Sequence, residues 1–400
     1  MKEKTGVKNY LAAFVAAVAL IALHGIGIPF AADYAVMIDA GSSGSRVHIF
    51  EWTPGRDNAL PKVKTIKPGP NECEKSSVNP GIAQKAPESA EDAGNYLRPL
   101  IACAEGVIKD EKARHNTRLY LMATAGMRLL DRQSQESIIG AVRAYLKKET
   151  PFIVDTRSIR TISGEEEGAF GWISANYSYD DPTAPVFLGD KGTLDLGGAS
   201  TQMTFRSLNA PRNNGFTVTL GDTLYNLYAA SFLGWGQNEA FRKTPGHACL
   251  PSGYTKESKG DYDTCKESIL ASMTAEGNNK CNGPCSPASG CKPPAEGAFV
   301  AFSGYYYTYS FFFPGTDRVS LSLLEKEGRT FCRTPWKELV TLHPRTAEQF
   351  LSRYCFNAAY MTALLNSAYG FPMDTDRISV RKDADWTLGA MVYEAARTRR

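Results

Sequence analysis

An excess of charge of either sign is missing from this sequence. Its 45 Lys and Arg residues face 42 Asp and Glu, and no basic stripe with interleaved aromatics runs along it, so nucleic acid is excluded as the expected partner. Long apolar runs are equally scarce. Only Leu11 to Leu23 approaches the length of a membrane span, and the closing Arg397, Arg399 and Arg400 carry no mark of a C-terminal anchor. Lys2, Lys4 and Lys8 precede that run and the small Ala31 and Ala32 follow it, which is the pattern of a targeting segment. Residues 1–31 are therefore expected to be a signal peptide, with an uncleaved N-terminal anchor (a type II membrane protein) as the alternative. His24, Gly25, Gly27 and Pro29 shorten the span and favour cleavage. The expected setting is secreted, periplasmic or lumenal.

Zinc-type ligand spacing is lacking as well. Cys281, Cys285 and Cys291 have no second close pair and no His-x-His neighbour, and His247 sits well upstream. Nine cysteines behind a secretory segment instead predict disulfides, and five of them (Cys249, Cys265, Cys281, Cys285, Cys291) crowd into one Gly/Pro/Ser-rich stretch. Cys73 with Cys103 and Cys332 with Cys355 are candidate pairs. Spacing leaves the connectivity open, and the odd total implies a thiol that is unpaired or pairs outside the chain.

What is present is enough chain for two lobes around a cleft, since 400 residues is long for one core. The apolar run Tyr34 to Ile38 stops at Asp39-Ala-Gly-Ser-Ser-Gly-Ser45 and resumes over Val47 to Trp52, which reads as strand, tight turn, strand. Lys191-Gly-Thr-Leu-Asp195-Leu-Gly-Gly-Ala-Ser200, continuing through Thr201 to Phe205, repeats that design, and the spacing of the two aspartates is about one domain length, which suggests an internal duplication. Between them Arg118 to Met122 predicts a strand, Ser134 to Lys148 a helix, Ser158 to Ile162 a strand, and Ala169 to Tyr177 a helix with Glu165, Glu166 and Glu167 in its first turn. Leu224 to Phe241 reads as a helical stretch inside a Gly/Asn/Lys/Pro-rich decoration of the second half.

A Gly/Ser turn directly after a buried strand gathers backbone N–H groups and hydroxyls around one small volume, which suits phosphate oxygens. Two such turns, each opening with an Asp, predict a clamp on a polyphosphate. A carboxylate beside phosphate is repulsive unless a cation lies between them, so Asp39 and Asp195 imply a hard divalent ion, Mg²⁺ or Ca²⁺, held largely through water. Hydrolysis also needs a base for water, and the Glu165–Glu167 run, flanked by Gly164 and Gly168, is the acidic cluster placed to supply it.

Five segments, in order, resemble the apyrase conserved regions of the nucleoside triphosphate diphosphohydrolase family: Asp39 to Arg46, Ala123 to Leu130, Ile162 to Trp172 with Asn176-Tyr177, Asp195 to Gln202, and Ala301 to Tyr307. Phe331-Cys332 with Trp336, Tyr354 to Asn357 and Trp386 to Gly389 resemble the family's C-terminal features. The resemblance implies an α/β fold of two ribonuclease-H-like lobes in the actin, hexokinase and chaperone-ATPase superfamily. Residues 33–157 would form lobe I, completed by about 372–400, and residues 158–371 lobe II, with a cysteine-rich insertion at about 245–295. It implies Glu167 as catalytic base with Glu166 second, Ser200 positioning the attacking water, and Gln202 joining Asp39 and Asp195 around the metal. Phosphate contacts would come from Ser42, Ser43, Gly44, Ser45 and Arg46, from Thr124, Ala125, Gly126 and Arg128, and from Gly197, Gly198, Ala199 and Ser200. Tyr307, Tyr306 and Tyr369 would hold the base. Gly304 departs from the Ala common in the family. The substrates implied are nucleoside di- and triphosphates. The competing readings are an exopolyphosphatase or phosphotransferase of the same superfamily, and a decayed hydrolase acting as a surface binding protein.

Overall fold

The computed structural model describes residues 33–55, 59–180, 183–208, 214–244, 246–277, 287–288, 295–382 and 384–398. The targeting segment and Cys281, Cys285 and Cys291 lie outside them. Two six-stranded sheets carry the chain. The first has the order β3(Lys62–Ile66)-β2(Ser45–Thr53)-β1(Asp33–Ala40)-β5(Arg118–Ala123)-β6(Ile159–Thr161), with β4(Ser77–Val78) added to β2. β1 and β2 form an antiparallel hairpin, and β5 and β6 run parallel to β1. A small hairpin, β7(Tyr177–Ser178) with β8(Val186–Phe187), separates this sheet from the second. The second has the order β11(Gly215–Leu220)-β12(Thr223–Leu233)-β10(Ser200–Arg206)-β9(Gly192–Leu196)-β13(Phe299–Ser303)-β14(Ile378–Val380). The central pattern recurs: β9 and β10 form the antiparallel hairpin, and β13 and β14 run parallel to β9. The duplication read from the two Asp turns is thus a duplication of sheet topology.

Each sheet is covered on both faces, which is why its strands read as apolar runs. One face of the first sheet packs Val36, Ile38, Leu119 and Leu121 against helices Ala90–Val107 and Arg132–Glu149. Its other face joins the second sheet through a shared core: Met37, Phe50 and Met122 meet Phe170, Trp172, Trp386 and Met391 together with Leu220 and Leu227. Helix Gly164–Asn176 supplies Phe170 and Trp172, and helix Trp386–Arg397 supplies Trp386 and Met391, so the C-terminal helix seals the middle layer. The outer face of the second sheet packs on helices Tyr262–Gly277, Gly304–Phe312, Leu321–Arg333 and Tyr354–Thr362.

One element differs from the sequence reading. Leu224 to Phe241 is strand β12 followed by the short helix Gln237–Lys243, not one helix. β12 is paired on both edges, by β10 and β11, and Leu227, Tyr228, Ala229 and Ala230 are all buried. A strand covered on both faces loses the polar alternation that marks a strand, and its Leu and Ala content then imitates a helix.

Cys73–Cys103 and Cys332–Cys355 are both bonded, and Cys249 bonds Cys265. Among the described residues, no helix is long and apolar enough to cross a membrane.

Candidate active site

The Asp-led turns do converge. Asp39 ends β1 opposite Arg46, and Asp195 ends β9 opposite Gln202, the same register position in each hairpin. The second turn reaches the first at Gly198, and the helix start at Gly126 packs on the backbone of the first turn. A Cβ on Gly198 of the second turn would stand 2.6 Å from Ser42 Oγ of the first, and a Cβ on Gly126 would stand 2.8 Å from Ser42 Cα. At Gly126 a side chain would meet the Ser42 backbone, whereas at Gly198 it would meet the movable ends of Ser42 and Asn238. A cleft of about 440 Å³ opens beside the contact, lined by Ser42, Ser43, Gly126, Gly198 and Ala199, and by Asn238, Glu239 and Arg242 of helix Gln237–Lys243. The sequence reading missed that last wall, because its residues sit in the stretch taken as decoration.

Glu167 is buried, 7 % exposed, and does not itself line that cleft. A capping box fixes the helix turn that carries it: the Ser163 hydroxyl accepts from Glu166 N–H, and the Glu166 carboxylate accepts from Ser163 N–H. Arg128 Nη2 donates to Glu167 Oε2 at 2.8 Å and to Ser200 Oγ at 3.2 Å, while Nη1 donates to Ile162 O. Gln202 Nε2 reaches Glu167 Oε2 at 3.1 Å, Ser200 Oγ at 2.7 Å and Ser231 Oγ at 3.0 Å. Glu167, Arg128, Ser200 and Gln202, from three separate motifs, are therefore one network. Ser231, on β12, was missed with its strand.

The two aspartates have the electrostatics of an ion site. Asp39 Oδ1 and Asp195 Oδ1 are buried with no hydrogen-bond partner. Burial pushes the Asp39 carboxyl up to about 8, against a downward pull from Arg46, whose Nη1 is 3.8 Å away. Burial, followed by the charge of Glu167, raises Asp195 to about 7. Asp385 adds negative charge to both; it caps helix Trp386–Arg397 and faces His48 Nδ1 at 3.8 Å. Its signal in the sequence was only a helix-capping Asp. Orphaned carboxylate oxygens held neutral by burial are what a divalent cation would ionise and pair, so the residues fit the expected ion. Among the described residues no three His, Cys, Asp or Glu side chains stand close enough to cage an ion directly, which suits a cation that keeps much of its water.

Three of the expected site residues are engaged elsewhere in the structure. Ser45 is fully buried and its hydroxyl takes a hydrogen bond from Tyr96 at 3.0 Å, so it braces the first turn from behind instead of meeting phosphate. Glu166 is engaged by the capping box and by Arg160 at 2.9 Å, away from the Glu167 network. Tyr369 is 2 % exposed, with its hydroxyl 3.3 Å from Thr201 Oγ1 and its ring beside Phe232, so it offers no open face to a nucleobase. Tyr306 is partly exposed and Tyr307 is 61 % exposed on helix Gly304–Phe312. That helix touches the cleft wall through Gln237 Nε2 and Thr308 Oγ1, 3.4 Å apart. Thr124 and Ala125 are buried at the start of the short helix Ala125–Arg128, and Ser43 and Arg46 are exposed.

Residues 29–250 and 251–399 match the model of the GDA1/CD39 (nucleoside phosphatase) family. Among curated proteins, a probable apyrase of Arabidopsis thaliana is 32 % identical over 91 % of this chain and 72 % of its own. Ectonucleoside triphosphate diphosphohydrolase 1 of Rattus norvegicus is 32 % identical over 94 % of this chain and 84 % of its own. Among solved structures, a nucleoside triphosphate hydrolase of Neospora caninum superposes with a TM-score of 0.67 at 14 % identity, covering 98 % of each chain. A Ppx/GppA family member of Aquifex aeolicus superposes at 0.51 and 15 % identity, over 91 % of this chain and 98 % of its own. These two likenesses bear on the fold alone, and they agree with two ribonuclease-H-like lobes.

Proposed function

The chain belongs to the GDA1/CD39 (nucleoside phosphatase) family, and from that premise we propose that it hydrolyses the terminal phosphates of nucleoside tri- and diphosphates by direct attack of water. The observation that carries the reading is the meeting of two Asp-led turns over one buried carboxylate network. The terminal phosphate sits between Ser42–Ser43 and Gly197–Ala199, with Gly126 and Arg128 closing the third side. Water lodged between Glu167 and Ser200 gives a proton to Glu167 as its oxygen bonds to the terminal phosphorus. The bond from phosphorus to the bridging oxygen breaks, releasing phosphate and a nucleotide shorter by one phosphate. Arg128 and Gln202 hold Glu167 and Ser200 in place for that transfer. Asp39, Asp195 and Gln202 would hold Mg²⁺ or Ca²⁺, largely through water, and a bound ion would supply neutralisation of phosphate charge. The base stacks on Tyr307 and Tyr306, a contact tolerant of base identity.

In this reading the first sheet, residues 33–161, belongs to one lobe and the second sheet, residues 192–380, to the other; β6(Ile159–Thr161) and β14(Ile378–Val380) thus fall on the far side of the bounds expected at 157/158 and about 372. Disulfides favour an oxidising compartment, by secretion, in a periplasm or in a lumen, with N-terminal anchoring as the alternative. The test is phosphate release from a panel of nucleoside tri-, di- and monophosphates and long-chain polyphosphate, with Mg²⁺, with Ca²⁺ and with EDTA. Rapid, chelator-sensitive release from tri- or diphosphates supports the proposal. Release confined to polyphosphate, or undiminished in EDTA, refutes it.

A further inference from the structure

The cleft beside the two turns carries a cation to which the hydrolytic steps give no task. Among the described residues that line it, Arg242 alone is positively charged and Glu239, three residues earlier on the same helix, alone is negatively charged. Arg242 Nη1 donates to Glu239 Oε1, so the two charges cancel within the cleft. The pair is lopsided: the Glu239 side chain is 19 % exposed and the Arg242 side chain 65 % exposed, so the carboxylate lies against the wall while the guanidinium has room to swing. An exposed pair at this spacing adds little stability and is broken at little cost. The other arginines of the site are committed. Arg128 gives its guanidinium to Glu167, Ser200 and the Ile162 carbonyl, and Arg46 faces Asp39.

The helix that carries Arg242 is bonded to the second turn itself. Gly234 N–H donates to Ala199 O at 2.8 Å, Gln237 N–H to Gly197 O at 2.8 Å and Asn238 N–H to Gly198 O at 2.9 Å. A Cβ on Gly236 would stand 2.3 Å from Ala199 N, so the two backbones touch. The carbonyls of the turn are thereby held from behind, and helix Gln237–Lys243 keeps a set distance from the slot between Ser42–Ser43 and Gly197–Ala199. Asn238 abuts that slot, since a Cβ on Gly198 would stand 3.0 Å from Asn238 Nδ2. Arg242 follows four residues on, about 6 Å along the helix axis. The lobe I wall at Ala83 and Gln84 is uncharged.

We propose that Arg242 is a specificity-determining residue that leaves Glu239 when substrate binds and grips the phosphates behind the terminal one. The inference rests on the proposed hydrolysis for the place of the terminal phosphate. A nucleoside di- or triphosphate brings more negative charge than one divalent ion cancels, and a guanidinium meets phosphate oxygens through two parallel hydrogen bonds. Glu239 then competes with substrate for Arg242. The test is calorimetric binding, with Mg²⁺, of a nonhydrolysable nucleoside triphosphate and of methylenediphosphonate, which has two phosphorus groups, no cleavable bridge and no nucleoside. KM, kcat and melting temperature are measured on the same samples. Arg242→Gln should weaken both ligands about 10-fold or more and raise KM to match, with kcat largely kept. Arg242→Lys, a point charge without the fork, should recover part of the loss. Glu239→Gln should tighten binding, and that gain should shrink once Arg242→Gln is added. Melting temperatures should stay near the native value, which separates a lost contact from a lost fold. Methylenediphosphonate affinity kept within about twofold in folded Arg242→Gln protein would overturn the proposal, as would an undiminished gain in the double variant or native protein that does not bind the probe. Native protein that binds the probe yet releases no phosphate from nucleotides would instead sink the proposed function, and the Arg242→Gln affinity for the probe would still decide this inference.

Discussion

Binding of a divalent cation should expel protons from Asp39 and Asp195, and the number expelled should fall as pH rises. The metal-free carboxyls titrate at about 8 and about 7 against an ordinary value of 3.8. By simple titration the pair carries about 1.9 protons at pH 6 and about 0.1 at pH 9. A cation needs the ionised forms, so close to two protons should leave per ion at pH 6 and almost none at pH 9. Stability carries the same signature. Between about pH 4 and pH 8 the folded, metal-free protein binds more protons than the unfolded chain, so these groups support it on the acid side. That support is lost as pH rises through about 7 and 8. At roughly 1.4 kcal/mol per unit, the loss is about 4 kcal/mol for Asp195. For Asp39 it is at most about 6 kcal/mol, reduced because water reaches a side chain 15 % exposed. The assay is calorimetric titration of Ca²⁺ into chelator-treated protein at pH 6 and pH 9, each in two buffers of different ionisation enthalpy. A proton count that is the same at both pH values, or below about 0.5 at pH 6, would refute the argument that these buried carboxyls face the ion.

Three further outcomes are expected. Glu167→Gln keeps the shape of the Arg128 and Gln202 network but removes the base, so turnover should fall by roughly 10²-fold or more while equilibrium binding of a nonhydrolysable nucleotide survives; unchanged turnover takes Glu167 out of the mechanism. Gly126→Ala places a Cβ 2.8 Å from Ser42 Cα and must push the first turn off the cleft at a cost of about 1–3 kcal/mol, lowering kcat/KM about 10-fold or more with the circular dichroism spectrum intact; an unaltered kcat/KM would mean that the first turn does not rest on Gly126 in the working enzyme. Replacing Cys332 and Cys355 together by Ser opens a 23-residue loop between two buried helices and should cost about 3 kcal/mol, read as a lower melting temperature; no shift would show that packing alone holds those helices.

The hairpins were legible because a Gly/Ser turn after an apolar run is a local signal, and the repeat of Asp39 by Asp195 made it a duplicated one. The Glu165–Glu167 run was legible as an acidic cluster between small residues at a helix start, and the family resemblance put Glu167 first and Glu166 second; the capping box that engages Glu166 is seen only in the structure. What escaped depends on tertiary burial. β12 is covered on both faces, so its pattern imitated a helix, and Ser231 and the wall at Asn238 to Arg242 were lost with it. Ser45 looked like a phosphate ligand by position, but Tyr96, 51 residues away in sequence, claims its hydroxyl. Tyr369 looked like an aromatic clamp, but its hydroxyl is drawn into the second sheet's core by Thr201.

The central claim is tested most directly by a crystal structure of the protein with a nonhydrolysable nucleoside triphosphate and Mg²⁺. The account predicts the terminal phosphate lodged between Ser42–Ser43 and Gly197–Ala199, with the ion and its waters facing Asp39 and Asp195 and a water against Glu167. A nucleotide bound anywhere else, or an ion that ignores both aspartates, would contradict it.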